Sequence, residues 1–134
     1  MNIDDIKTKH PRTTKNFATL ECAFKPYVLD VLAQLEKLGY QPVIWEGRRT
    51  IEEQREKVRL GYSKTMRSRH LSGYAADIVD RRYLWDSGKY MTELRQYAKD
   101  IKRIAEDMGI ISGTIWKSFG PLGDYAHVEL PFKG

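Results

Sequence analysis

An acidic residue within an apolar segment constrains this chain more than any other feature of its sequence. Residues 75–80 read Ala-Ala-Asp-Ile-Val-Asp, which has the length and composition of a β-strand. On a strand, Asp77 points to the same face as Ala75 and Val79. A carboxylate buried there without a partner would cost several kcal/mol of stability. Asp77 therefore needs a compensating partner, and a metal ion is one that fits.

Hydrophobic periodicity predicts helices and strands in mixed order around that segment. Helices are expected at 25–38, 51–60 and 91–108, and strands at 41–47, 75–80 and 126–130, with a short strand or hairpin at 110–116. Thr50 and Glu53 have the spacing of a capping box at the start of the second helix. Residues 1–18 show no sustained period and are expected to form an irregular N-terminal segment. This order favours an α+β fold, a single small domain over residues 1–134 with an antiparallel sheet flanked by helices.

Composition limits the environment of the chain. Its 134 residues are 41% hydrophobic and 31% charged, which is typical of a soluble globular protein. No apolar run approaches the ~18 residues of a membrane span, and residues 1–15 lack the apolar core of a signal peptide. We therefore expect synthesis in the cytoplasm and no membrane insertion. Cys22 is the only cysteine, which excludes an intramolecular disulfide and a thiolate zinc cluster.

The positive charge of the chain suits a polyanionic partner. The formal net charge is +5, and the densest basic cluster, residues 64–69, lies directly before His70. Two interpretations of that cluster remain open. It is either a solvated loop or a lip that attracts an anionic substrate.

Two short segments supply candidate metal ligands and a spare acid. His70 precedes Asp77 by seven residues, and Asp124 precedes His127 by three. Two imidazoles and one carboxylate are the three protein ligands typical of a catalytic zinc site with an open position for water. If His70, Asp77 and His127 bind the ion, Asp124 is free to act as a base on that water.

Four further residues are candidates for supporting roles. Arg49 follows a predicted strand and precedes a predicted helix, where a side chain can line a cleft and stabilise an oxyanion or bind a carboxylate. Ser68 could hydrogen-bond near the ligands or simply cap a loop. Trp116 could form a wall of the cleft or part of the core. Glu129 shares a strand face with His127 and could orient its imidazole, or be a solvated strand residue.

These motifs together resemble a known group of enzymes. The frame Ser-x-His-x-x-Gly-x-Ala-x-Asp at 68–77, the Asp-x-x-His at 124–127 and Arg49-Thr50 with Gln54 are similar to motifs of the zinc peptidases that cut peptidoglycan peptides. That family comprises D-Ala-D-Ala carboxypeptidases and dipeptidases, and the chain most resembles its phage L-alanyl-D-glutamate endopeptidases, or endolysins. The resemblance spans roughly residues 40 to 130. The Asp at 124, where carboxypeptidase and dipeptidase members more often have Glu, favours the endopeptidases.

The resemblance implies a mechanism and a partner. One zinc ion would be bound by His70, Asp77 and His127 at the sheet edge, with Asp124 as general base. Arg49 would stabilise a carbonyl or carboxylate, although the sequence leaves open whether Arg48 or Arg49 enters the site. The expected partner is bacterial peptidoglycan, reached after release through the membrane by a separate protein. We expect a monomer that has no separate wall-binding module and does not bind nucleic acid.

Two alternative functions are also compatible with the sequence. A D,D-carboxypeptidase or dipeptidase could use the same scaffold and would differ in the bond that it cuts. A binding domain without catalysis could use residues 64–69 to grip nucleic acid, and its binding would then fall steeply with salt. The second alternative does not explain why Asp77 interrupts an apolar strand.

Overall fold

A computed structural model of the protein describes residues 3–6 and 9–131. Within these residues, four α-helices and four strands follow one another in the order α1 Pro11–Ala18, α2 Lys25–Lys37, β1 Pro42–Glu46, α3 Ile51–Arg59, β2 Ala75–Asp80, α4 Ser87–Asp107, β3 Ile111–Ser112 and β4 His127–Glu129. The strands form one antiparallel sheet in the spatial order β1-β2-β4-β3. The predicted α+β class is therefore confirmed. No helix in the described part of the chain is long and apolar enough to cross a membrane.

The two faces of the sheet have different roles. One face carries Ala76, Ile78 and Val128 into a core shared with α2 and α4. The apolar stripes predicted for these two helices contribute eight buried side chains to that core: Val28, Val31, Leu32 and Leu35 from α2, and Leu94, Tyr97, Ile101 and Ile104 from α4. Because side chains alternate along a strand, Asp77 and His127 point away from this core, onto the opposite face. The core thus fixes β2 and β4, and the second face is available for polar groups.

Helix α1 corrects the expectation of an irregular N-terminal segment. Residues 11–18 are helical, with Pro11 in the first turn, whereas residues 1, 2, 7 and 8 of that expectation lie outside the described residues. The helix covers the free edge of β1. Thr13 accepts a hydrogen bond from the Ile44 N–H at 3.1 Å, and Asn16 donates to the Ile44 carbonyl at 2.8 Å. Polar contacts to an edge strand stabilise this helix, so it carries no apolar stripe that the sequence could reveal.

Of the two forms expected for residues 110–116, a short strand or a hairpin, the structure shows the short strand. Ile111 and Ser112 form the short strand β3, which pairs with β4, and the chain then turns through a 3-10 helix at Gly113–Ile115 instead of forming a hairpin. The Ser112 hydroxyl accepts a hydrogen bond from the Thr114 N–H at 3.2 Å and so stabilises the turn. Helix α4 begins at Ser87 rather than Met91 and is kinked at Tyr90.

A buried carboxylate that pairs with an exposed arginine fixes the end of β2. The Asp80 carboxylate is fully buried and accepts hydrogen bonds from the Arg82 side chain and from the Gln41 N–H. Burial raises the pKa of Asp80, but these hydrogen bonds outweigh that effect and hold the pKa below its ordinary value. The Asp80 carboxylate therefore stabilises the fold in its ionised form.

Candidate metal centre and active site

The two strand residues of the predicted triad are direct neighbours. Asp77 on β2 is paired with His127 on β4, and paired residues of an antiparallel ladder point to the same face. The expected position at the sheet edge is wrong: β2 and β4 are the two central strands, so the cluster lies on the face of the sheet.

A tight turn brings the third residue of the triad to the same point. His70 lies in a 3-10 helix, Arg69–Ser72, which Gly73 ends with a φ of +78°. Glycine adopts this left-handed conformation without strain. A side chain at position 73 would also meet the Arg48 guanidinium, 2.7 Å from the position of its Cβ. The turn returns the chain to β2 so that His70 faces Asp77.

The spacing of the three ligand atoms fits a metal ion. Asp77 Oδ1 lies 3.3 Å from His70 Nε2 and 3.4 Å from His127 Nδ1, and the three atoms all lie within 4.8 Å of one another. Ligands of a tetrahedral zinc ion, at bond lengths of 2.0–2.1 Å, lie about 3.3–3.4 Å apart. His70 Nε2 and Asp77 Oδ1 are moreover buried without any hydrogen-bond partner among the described residues. Such atoms are costly unless a cation binds them, so the residues fit a divalent metal.

Outer contacts orient both imidazoles toward that point. His70 Nδ1 lies 2.7 Å from the Gly47 carbonyl oxygen, to which it can only donate, and this leaves Nε2 free as a ligand. His127 Nε2 lies 2.8 Å from Glu129 Oε1, which in the same way leaves Nδ1 free. Partners of this kind fix the tautomer and ring orientation of metal-binding histidines.

The electrostatics of the cluster favour a cation. Burial lowers the pKa of His127, but the neighbouring carboxylates of Asp77 and Glu129 outweigh this effect and raise the pKa to about 9. Burial raises the pKa of Asp77, but the two neighbouring imidazoles outweigh this effect and hold the pKa well below its ordinary value. The surrounding charges thus stabilise a positive charge beside Asp77, whether a proton or a metal ion carries it.

Asp124 stands beside the triad at the base of the cleft. Its Oδ2 lies 4.0 Å from His127 Nδ1, and its side chain is 32% exposed. Burial raises the pKa of Asp124 to about 6, and the Asp77 carboxylate adds to the rise. The carboxylate is close enough to the cluster to exchange a proton with a group bound there and open enough to meet a substrate.

Arg49, rather than Arg48, enters the site. The Arg49 guanidinium contacts Asp77 Oδ2 at 3.3 Å, Glu46 Oε2 at 2.6 Å and Gln54 Oε1 at 3.0 Å. Arg48 turns the other way and pairs with Glu21 at 2.6 Å on the outside of the domain. The backbone between β1 and α3 therefore settles the alternative that the sequence left open.

The remaining predicted residues line one cleft. The cleft has a volume of about 490 Å³, and its walls include Ser68, Trp116 and Glu129 together with Arg49 and Asp124. The Trp116 ring centroid lies 4.8 Å from that of His127, so the indole borders the metal-binding cluster. Ser68 accepts a hydrogen bond from the His70 N–H at 3.2 Å and caps the turn that carries this histidine.

Three residues of the site received no role from the sequence. Glu46 holds Arg49, Gln54 contacts both Arg49 and the loop after α3, and Gly113 packs against Asp124. A β-carbon on Gly113 would lie 2.2 Å from the Asp124 carbonyl oxygen. Gln54 was visible only as part of a motif, and a fully buried polar residue on a charged helix leaves no local signal.

Comparisons with known proteins place this site in a family. A family model described as phage L-alanyl-D-glutamate peptidase matches residues 12–130. The chain belongs to the phage L-alanyl-D-glutamate peptidase family. It is also 31% identical, over 126 residues and 93% of its length, to the L-alanyl-D-glutamate peptidase of Listeria phage A118. The chain spans 43% of the length of that relative.

Solved structures agree with the membership of this peptidase family. The L-Ala D-Glu endopeptidase ChiX of Serratia marcescens superposes with a TM-score of 0.66 at 31% identity, covering 98% of this chain and 97% of ChiX. A mutant of the vancomycin-resistance D,D-pentapeptidase VanY, in complex with Zn(II), superposes with a TM-score of 0.53 over 83% of this chain and 72% of its own. At 19% identity the likeness to VanY concerns the fold.

Proposed function

We propose that this protein is a zinc-dependent peptidase that hydrolyses the L-Ala–D-Glu bond of peptidoglycan stem peptides. The observation that carries the proposal is the convergence of two imidazoles and one carboxylate on a single point. Two of the three ligand atoms are buried and have no hydrogen-bond partner in the described part of the chain. The names of the phage relative and of ChiX support the choice of scissile bond. The proposed setting is a phage or prophage endolysin that acts on the cell wall as a monomer.

The donor set supports zinc as the resident ion. Two imidazoles and one carboxylate, each oriented by an outer hydrogen bond, match the ligands of catalytic zinc sites. Such donors also tolerate other divalent ions, so the identity of the ion is a matter for metal analysis. When bound, zinc would supply Lewis-acid polarisation of water and of the substrate carbonyl.

The protein's own residues supply the proton transfers and the orientation of groups. Asp124 accepts a proton from the attacking water and later donates it to the leaving amine, which its place beside the cluster permits. Arg49 holds Asp77 Oδ2, so that Oδ1 faces the histidines. The charge of the same guanidinium also lies close enough to the cleft to stabilise negative charge that develops on the substrate.

Mass spectrometry of fragments released from purified peptidoglycan, with and without a chelator, tests this function. We expect chelator-sensitive fragments with a new N-terminal D-glutamate. Released D-alanine would instead assign the protein to the carboxypeptidase activity. A folded, zinc-loaded protein that releases nothing from several wall types would refute the peptidase proposal.

Variants separate metal binding from proton transfer. Asp124→Asn should keep its zinc and lose most turnover, about 10²–10⁴-fold for a general base. His127→Ala should lose the zinc as well. Asp107→Asn, an exposed carboxylate at the end of α4, is the matched control and should behave like the parent. If neither the parent nor Asp124→Asn contains bound metal, the metal site is ruled out.

A further inference from the structure

A cationic rim borders the cleft on one side. Lys64 and Arg67 lie in the loop between α3 and His70, line the same cleft as Asp124, and are exposed. Within residues 3–6 and 9–131, no carboxylate lies within ion-pair distance of either side chain. These two charges therefore contribute no internal salt bridge and face the space that a substrate would enter.

The rim is held in place from inside the protein. Gln54 is fully buried, and its Nε2 donates hydrogen bonds to Ser63 Oγ at 2.9 Å and to the Thr65 carbonyl at 2.6 Å. The Thr65 hydroxyl in turn accepts a hydrogen bond from the Arg67 N–H at 2.9 Å. Since Gln54 also binds Arg49, one side chain sets the distance between the rim and the catalytic cluster.

The acidic groups of the cleft do not neutralise the rim. Glu129 is engaged with His127 Nε2 at 2.8 Å, and Asp124 lies beside His127 Nδ1. The Lys64 ammonium lies 5.6 Å from the centre of the Phe119 ring on the facing wall, where an aromatic face can support a cation but cannot cancel its charge. The rim therefore presents positive potential to a bound peptide.

We propose that Lys64 and Arg67 form a carboxylate subsite that recognises the glutamyl residue of the substrate. This inference rests on the proposed function and names the feature of the substrate that the cleft selects. A glutamyl residue has two carboxyl groups, and only one of them continues the peptide chain. The other lies a few bonds from the scissile amide, and it is an anion when free and neutral when amidated. The subsite selects the free acid.

A pair of synthetic stem peptides tests the subsite with the zinc-loaded protein. The two peptides are identical except that the glutamyl carboxyl group outside the chain is either a free acid or a primary amide. We expect kcat/KM to be about five- to tenfold higher for the acid, which corresponds to roughly 1–1.4 kcal/mol for exposed charges. Added salt should reduce the ratio, because it screens exposed charges.

Substitutions locate the source of that preference. The double variant Lys64→Gln with Arg67→Gln should lower the acid-to-amide ratio of kcat/KM to about one. Arg95→Gln, which removes an exposed charge from α4 and not from the cleft, should leave the ratio unchanged. A double variant that keeps the parental ratio would overturn the assignment.

The outcomes also distinguish this inference from the function on which it rests. Equal cleavage of both peptides by the parent would refute the subsite and leave the peptidase activity established. Cleavage of neither peptide would refute the peptidase proposal itself. If the double variant slows digestion of intact walls without changing the acid-to-amide ratio, the rim binds anionic wall polymer and the subsite is refuted.

Discussion

Replacing Gln54 by leucine tests whether its hydrogen bonds hold Arg49 and the loop at 63–65 in place beside the cleft. Leucine has nearly the same volume but removes three hydrogen bonds at once: one to the charged Arg49 and two to Ser63 and Thr65. A hydrogen bond to a charged group contributes about 1.5–3 kcal/mol and a neutral one about 0.5–1.5 kcal/mol. The partners in the loop can recover bonds to water, because Ser63 is only half-buried and Thr65 is exposed. We therefore expect a loss of about 2–4 kcal/mol in the free energy of unfolding.

Urea denaturation at a fixed, saturating zinc concentration measures this loss. Gln96→Leu is the matched control, because Gln96 makes one long, exposed hydrogen bond to Asp100 at 3.3 Å. The control should change stability by less than about 0.5 kcal/mol. Peptidase activity of the Gln54 variant should also fall, since Arg49 loses one of its three partners. If Gln54→Leu lowers the free energy of unfolding by less than about 1 kcal/mol, as a surface substitution would, the hydrogen bonds of Gln54 do not stabilise the protein as proposed.

Three shorter predictions concern other parts of the site and fold. Glu129→Gln should weaken zinc binding about 10–100-fold by calorimetric titration, because it removes the charge that orients a ligand histidine; unchanged affinity would contradict this. Asp80→Asn should destabilise the protein most near neutral pH. The folded-state pKa of Asp80 is depressed, so its stabilising effect is present above about pH 4 and is lost as the pH falls through the folded-state pKa. Denaturation curves should therefore show a smaller difference in the free energy of unfolding between parent and variant at pH 3 than at pH 7. Gly113→Ala should cost about 1–3 kcal/mol and disturb Asp124, because the new Cβ would overlap its carbonyl oxygen. Gly88→Ala, whose Cβ has room, should not destabilise the protein.

Elements with local sequence signals could be predicted from the sequence. The apolar stripes of α2 and α4 and the capping box of Thr50 and Glu53 all depend on residues three or four positions apart, and the structure confirms them. The metal ligands could also be predicted from the sequence, because Asp77 interrupts an apolar strand. The other two candidate ligands were His70, seven residues before Asp77, and the histidine of the Asp-x-x-His motif at 124–127.

Features that depend on partners distant along the chain could be established only from the folded structure. Helix α1 depends on the edge of β1, about 30 residues away. The choice of Arg49 over Arg48 depends on contacts to Asp77 and Glu21, each more than 25 residues distant. The free nitrogen of His70 depends on the carbonyl of Gly47. Such pairings are set when the sheet closes and the loops pack on it, and no periodicity within one segment encodes them.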